Sequence, residues 1–140
     1  MHNRADEIVA KAKEFDGVRF KHQGRDPALG LDCAGLIIKV AHDLELFTFN
    51  TTDYPKRPNA RDFRRHMLAA GFTPVAPYEH GDVLRLADPA GPPVHVAIYE
   101  VDERGKEWII HAWAIARKVV RTELTPSIRK HVREAMRYPG

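Results

Sequence analysis

The sequence holds one cysteine in 140 residues. No internal disulfide can form, and a zinc site built from several cysteines is excluded. Long apolar runs are missing too, so membrane insertion by a spanning helix is excluded. The first residues, Met1-His2-Asn3-Arg4-Ala5-Asp6-Glu7, lack the apolar core of a signal peptide. Synthesis in a reducing cytoplasm without an export signal is therefore expected. Repeats and low-complexity tracts are absent. Neither sign of charge dominates: 22 Lys and Arg stand against 19 Asp and Glu, a net charge of +3. Basic residues gather at Lys56, Arg57, Arg61, Arg64 and Arg65, and again at Arg129, Lys130, Arg133 and Arg137. No nucleic-acid motif accompanies them, so they read as solvated surface and no nucleic-acid partner is expected. An anionic polymer such as cell wall is the weaker alternative.

What is present is one domain, residues 1–140, organised around that cysteine. Cys33, Leu36, Ile37, Val40, Ala41 and Leu44 recur at helical spacing and make one apolar face. Asp32 stands at the N-cap position, where a carboxylate accepts from the free amides of the first turn. Cys33 comes next, at the first helical position, where amide dipoles favour a thiolate. Gly30 allows a sharp turn before the cap, and Gly35 leaves room for a close approach by another backbone or a substrate. The competing reading is a small buried hydrophobe.

Helices are predicted over Ala5–Phe15, from Cys33 to about Leu46, and over Ala60–Ala70 with Asn59 as cap. Val18–Gly24 reads as a short extended piece, and Arg25–Gly30 as a loop. Phe47–Pro58 is irregular, because Tyr54-Pro55 and Arg57-Pro58 forbid a regular helix. Phe72–Val75 reads as a link. The period then turns to alternation: Gly81–Ala87, Val94–Val101, Glu107–Trp113 and Arg117–Glu123 read as strands, with a proline-rich loop over Asp88–Pro93. Thr125-Pro126 opens a last helix, expected to end near Arg137. Helices first, then an antiparallel sheet, then a C-terminal helix is an α+β arrangement.

His95, Ala97 and Tyr99 share one face of their strand, and Ile109, His111 and Trp113 share a face of the next. A five-residue turn over Asp102–Lys106 sets Val101 opposite Glu107 and makes His95 and His111 diagonal neighbours, about 7–8 Å apart. A turn one residue shorter would send them to opposite faces. Two such imidazoles beside a helix that starts with cysteine form a set for nucleophilic catalysis: a thiolate, a base, and a group that orients the base. Either histidine alone more often serves structure. His42 and His66 read as surface residues, His2 as terminal and His80 as a turn cap, and His131 has a weak claim to the site. His22 precedes the cysteine segment and is the remaining candidate.

Leu31-Asp32-Cys33-Ala34-Gly35-Leu36, Gly81-Asp82-Val83, Val94-His95-Val96-Ala97-Ile98-Tyr99 and Ile110-His111-Ala112 occur in an order that resembles the NlpC-type cell-wall peptidases, cysteine peptidases of papain-like fold. The resemblance spans about Phe15 to Thr122. It implies Cys33 as nucleophile, His95 as base and His111 as the residue that orients His95, with no cofactor and no metal. It implies peptidoglycan stem peptides as substrate, cut at the amide between D-glutamate and diaminopimelate or lysine. The Cys33 amide would help hold the oxyanion. Two positions depart from the family pattern. Where a tyrosine is usual ahead of the cysteine this chain reads Phe20-Lys21-His22-Gln23-Gly24, so Phe20, His22, Gln23 and Asp32 are the candidates for oxyanion or substrate contacts. Ala34 stands where serine is frequent. The His22-Gln23-Gly24 segment and Arg137-Tyr138-Pro139-Gly140 look similar to a shorter subgroup carried at the tail tips of phages and gene-transfer particles. That similarity implies tail hub or baseplate proteins as partners and action in the cell wall from a particle.

Three alternatives stand beside this reading. One is a non-enzymatic tail module that keeps the peptidase fold. Another is a zinc site from Cys33, His95 and His111. The last is a different amide or acyl-transfer reaction on the same fold.

Overall fold

The helices come first because the chain supplies caps and apolar faces for them. The computed structural model describes residues 3–55, 59–87 and 94–140. Helix α1 (Arg4–Glu14) starts at Asn3, whose side chain accepts from the Asp6 amide, and buries Ile8, Val9 and Ala12. Helix α2 (Cys33–Asp43) starts at Asp32 and buries Leu36, Ile37, Ile38, Val40 and Ala41. Helix α3 (Ala60–Ala69) is capped by Asn59 and buries Phe63. The predicted helix boundaries hold to within a few residues. His2, Lys56, the Arg57-Pro58 break and the Asp88–Pro93 loop lie outside the described residues.

The predicted loop before the cysteine is a tight hairpin. Strands β1 (Arg25–Asp26) and β2 (Gly30–Leu31) pair antiparallel through Asp26↔Gly30. Gly30 has φ +136, and a Cβ there would stand 2.6 Å from the Lys21 Cβ. A side chain at Gly30 is therefore excluded twice, by conformation and by space.

Six strands make the main sheet: β3 (Thr73–Val75), β4 (Val83–Leu86), β5 (His95–Val101), β6 (Glu107–Trp113), β7 (Lys118–Glu123) and β8 (Val132–Arg137). Their order is β3-β8-β4-β5-β6-β7, and every pair is antiparallel. One face takes α1 and α2 against Val83, Val94, Val96, Ile98, Ile110, Ala112 and Met136. The other holds a smaller cluster of Leu84, Leu86, Ala97, Tyr99, Ile109, Leu124 and Ala135. Strand β5 is thus covered on both sides. Its one carboxylate, Glu100, lies on the helix side and takes Lys13 Nζ at 2.7 Å and Arg121 Nε at 2.7 Å.

The C-terminal helix is corrected. It opens at Thr125 and Pro126 as expected, but helix α4 (Pro126–Arg129) stops after four residues and buries none of them. Residues Val132–Arg137 are strand β8 instead. Strand β4 has an open edge, and β8 closes it by pairing with β4 on one side and β3 on the other. Arg137 then reaches the buried Asp82 through Nε at 2.8 Å and Nη2 at 2.9 Å. The Tyr138 hydroxyl donates to the Ile37 carbonyl at 2.8 Å. Phe72–Val75, read as a link, ends in the edge strand β3, where Pro74 costs nothing because no further strand pairs outside it.

Candidate active site

Asp32 organises the entry to α2. Its Oδ1 accepts from the Gly35 amide at 2.7 Å and from Arg25 Nη1 at 3.3 Å. Its Oδ2 accepts from the Gln23 amide at 2.7 Å and from the Tyr54 hydroxyl at 2.8 Å. Four donors fill the carboxylate, which is 3% exposed. Asp32 therefore acts on the site by holding it, and no lone pair is left over for a substrate. Gly35 must be bare here: a Cβ on it would stand 2.1 Å from the Gly24 carbonyl oxygen. The close approach expected at Gly35 is that of the Gly24 backbone.

Cys33 is half-buried at the first position of α2. Burial, and then the Asp32 charge, push its thiol up to about 12, against three backbone amides (Val96, Ala34 and Cys33 itself) that favour the thiolate. The helix-start amides act in the direction expected, but desolvation is larger. The resting group is a thiol. Its contact with the Val96 amide joins the helix start to β5 one residue after His95.

His95 and His111 meet as the five-residue turn requires. Asp102 N–H donates to the Lys106 carbonyl at 2.9 Å, Val101 pairs with Glu107, and His95 Nε2 lies 2.5 Å from His111 Nδ1. The ring centroids are 4.8 Å apart. Trp113 stacks on His111 at 5.6 Å and 20°. His111 Nε2 is 2.9 Å from the Thr122 hydroxyl oxygen. Among the described residues no hydrogen bond takes His95 Nδ1. Both imidazoles are buried, at 7% and 5% exposure.

Burial lowers the His95 pKa from 6.5 to about 4. The unfolded chain therefore binds the extra proton between these values, so this contribution to stability is complete above about pH 6.5 and is lost as pH falls toward 4. At about 1.4 kcal/mol per unit the loss is about 3 kcal/mol. Urea unfolding at pH 7 and pH 4 should show the wild type losing about that much more than His95→Gln. Equal losses would show that His95 is not the group responsible.

The other predicted residues separate. Gln23, at φ +58, uses its amide on Asp32 and donates its side-chain NH2 to the Thr52 and Tyr54 carbonyls at 2.6 and 2.9 Å. It positions the 50–54 segment. His22 is half-buried and meets the Tyr54 ring edge-on at 5.9 Å. The Phe20 ring packs on the edge of the main core, and its amide donates to the Arg117 carbonyl at 2.8 Å.

Sequence reasoning missed Arg25, Tyr54 and Thr122. Arg25 Nη2 donates to the Tyr54 hydroxyl at 2.9 Å and to the Thr51 carbonyl at 2.6 Å. Burial and the Asp32 charge raise the Tyr54 pKa, so the hydroxyl stays protonated and donates. In the sequence, Tyr54-Pro55 reads only as a helix breaker. An apolar cavity of about 50 Å3 lies beside Ala34, between Ile37, Ile38, Phe63, Met67 and Val96. Among the described residues no group of three or more His, Cys, Asp and Glu is gathered to hold a metal ion. No helix among them is long and apolar enough to cross a membrane.

No family profile and no curated protein matches the sequence. Solved structures do. An NlpC/P60 family protein from Bacillus cereus superposes over 100% of this chain with a TM-score of 0.69 and 23% identity. The fold is that of the NlpC/P60 domains. The NlpC/p60 domain of the peptidoglycan hydrolase SagA aligns over 95% of this chain and 97% of its own length, with a TM-score of 0.61 and 23% identity. Ly7917, solved with the hydrolysing product of MDP, aligns over 99% of this chain at 0.62 and 16% identity. The chain spans 42% of the Bacillus cereus protein and 64% of Ly7917, less than two thirds of either length.

Proposed function

We propose that this NlpC/P60 domain is a cysteine peptidase of the cell wall that hydrolyses stem-peptide amides. The observation that carries the reading is the meeting of α2 with β5: the Cys33 thiol lies against the Val96 amide, one residue along the strand from His95, whose ring is buried and bonded to that of His111. Support for peptidoglycan as substrate comes from the fold shared with the SagA domain and Ly7917.

In this reading His95 Nδ1 takes the thiol proton as sulfur attacks the amide carbonyl. Amides of Cys33 and Ala34 at the helix start, directed at the sulfur in the resting state, are placed to hold the oxyanion. His95, now an imidazolium, protonates the leaving amine. Water then hydrolyses the thioacyl enzyme and the thiol is restored. The resting site is a neutral thiol–imidazole pair, since burial raises one pKa and lowers the other. Substrate binding must therefore accompany proton transfer.

The bond assigned is the amide after D-glutamate. Mass spectrometry of fragments released from purified peptidoglycan tests it. Fragments with new diaminopimelate or lysine amino ends are expected. Cys33 is the only cysteine, so protein alkylated in denaturant and refolded gives a specific control and should release nothing. Release of the same fragments by the alkylated protein would sink the assignment.

The finer reading, delivery to the wall by a phage-like tail, rests on the similarity at His22-Gln23-Gly24 and Arg137-Tyr138-Pro139-Gly140. Co-sedimentation of the chain with tail particles is its test. The second reading is a structural module that keeps the fold. One observation favours it: burial keeps the thiol protonated at rest. Absence of release from walls of several chemistries, each with a positive control, would decide for it.

A further inference from the structure

We propose that Thr122 is a positioning residue: its hydroxyl holds His111 in the ring orientation that presents Nδ1 to His95. Thr122 lies on β7 opposite Ile109, and His111 opposite Val120, so the two are diagonal neighbours across the β6–β7 pair. Their separation, 2.9 Å between His111 Nε2 and Thr122 Oγ1, is that of a hydrogen bond.

Among the contacts of His111 are the Trp113 stack and the hydrogen bonds to His95 and Thr122, and the hydrogen bonds tell the ring from its flipped form. The Trp113 stack restrains tilt. A half-turn about the Cβ–Cγ bond leaves that stack nearly unchanged, but it moves Nδ1 away from His95 and puts a carbon in its place. Thr122 distinguishes the two, because its hydroxyl bonds a nitrogen on the far edge of the ring and would face a carbon after the flip. The bond also sets proton order. With His95 Nδ1 kept open as an acceptor, His95 Nε2–H donates to His111 Nδ1, and His111 Nε2–H donates to Thr122 Oγ1. Each nitrogen then has one role.

The site around this bond is not solidly packed. A cavity of about 210 Å3 on this sheet face is lined by His95, His111, Trp113, Thr122, Ser127 and His131. A flipped His111 therefore has room, and packing alone does not prevent it. The hydroxyl thus adds, on the edge of the ring far from His95, a second contact that discriminates the two forms.

The inference rests on the peptidase reading for its kinetic arm and is independent of it for its spectroscopic arm. Thr122→Val keeps shape and strand propensity while removing the hydroxyl. Thr122→Ser keeps the hydroxyl. Once a cleaved wall peptide is in hand, kcat of Thr122→Val should fall about tenfold, with KM within about twofold. That is the lower end of the roughly ten- to hundredfold loss seen when a group that orients a metal-bound histidine is removed. Thr122→Ser should recover most of the rate. Nitrogen-15 spectra of the ring nitrogens should show His111 protonated at Nε2 in the wild type, with slow exchange of that proton, and a fast-exchanging or mixed state in Thr122→Val. Wild-type kcat together with an unchanged ring spectrum in Thr122→Val would overturn the proposal. If the wild type cleaves no wall peptide, the peptidase reading fails and the spectra alone decide the role of Thr122.

Discussion

Cys33→Ala should abolish release of wall peptides, and His95→Ala should lower kcat by about two to four orders of magnitude, the range that general acid–base catalysis contributes. His111→Ala should cost about one to two orders. The asymmetry comes from which nitrogen is left over. His95 Nε2 and His111 Nδ1 are engaged with each other, and His111 Nε2 lies against Thr122. His95 Nδ1 is the nitrogen that remains to accept a proton from sulfur.

The same measurement separates two assignments of role. If His111→Ala loses as much as His95→Ala, with both proteins folded, the base and the orienting residue are exchanged. The double variant Cys33→Ala/His95→Ala should be no worse than Cys33→Ala, because residues that act as a unit are not additive. These variants also differ in stability. His95→Ala removes a buried imidazole that must stay neutral, and so it should weaken the domain's sensitivity to acid.

The parts of the molecule legible in the sequence are those governed by short-range rules. Helix α2 is readable because its cap, its first residue and its apolar period lie within a dozen positions. The His95–His111 contact is readable because a five-residue turn leaves one register that keeps both rings on one face. Strand β8 is hidden by a local signal that is itself correct. Thr125-Pro126 does start a helix, and nothing nearby announces that it ends after Arg129. The unpaired edge of β4, far earlier in the chain, is what draws Val132–Arg137 into the sheet. Arg25 and Tyr54 are hidden for a related reason. They lie 7 and 22 positions from Asp32 and meet it through an irregular segment with no period to read. The tyrosine missing at Phe20 draws attention to His22 and Gln23. The hydroxyl beside the cap of α2 comes from Tyr54 instead, a residue whose sequence context marks only a chain break.

Asp32→Ala should destabilise the domain by about 3–5 kcal/mol, the scale on which one partner's removal breaks a buried charged network. Loss of the N-cap alone accounts for about 1 kcal/mol. The remainder comes from what stays behind: the Gln23 amide, the Tyr54 hydroxyl and Arg25, whose side chain is 19% exposed, all lose their acceptor. Asp32→Asn should cost clearly less, because an amide oxygen still caps the helix. It should also change the thiol. The Asp32 charge is the second cause that raises the Cys33 pKa, after burial. Removing a negative charge beside a thiol favours the thiolate, so the pKa should fall in Asp32→Asn, and only partway, since burial remains. The rate of iodoacetamide alkylation against pH reads this directly: its midpoint should move to lower pH in the variant. Urea unfolding of the same protein gives the stability change. A midpoint that stays put would mean that Arg25 neutralises Asp32 as the sulfur senses it. In that case burial alone keeps the Cys33 thiol protonated.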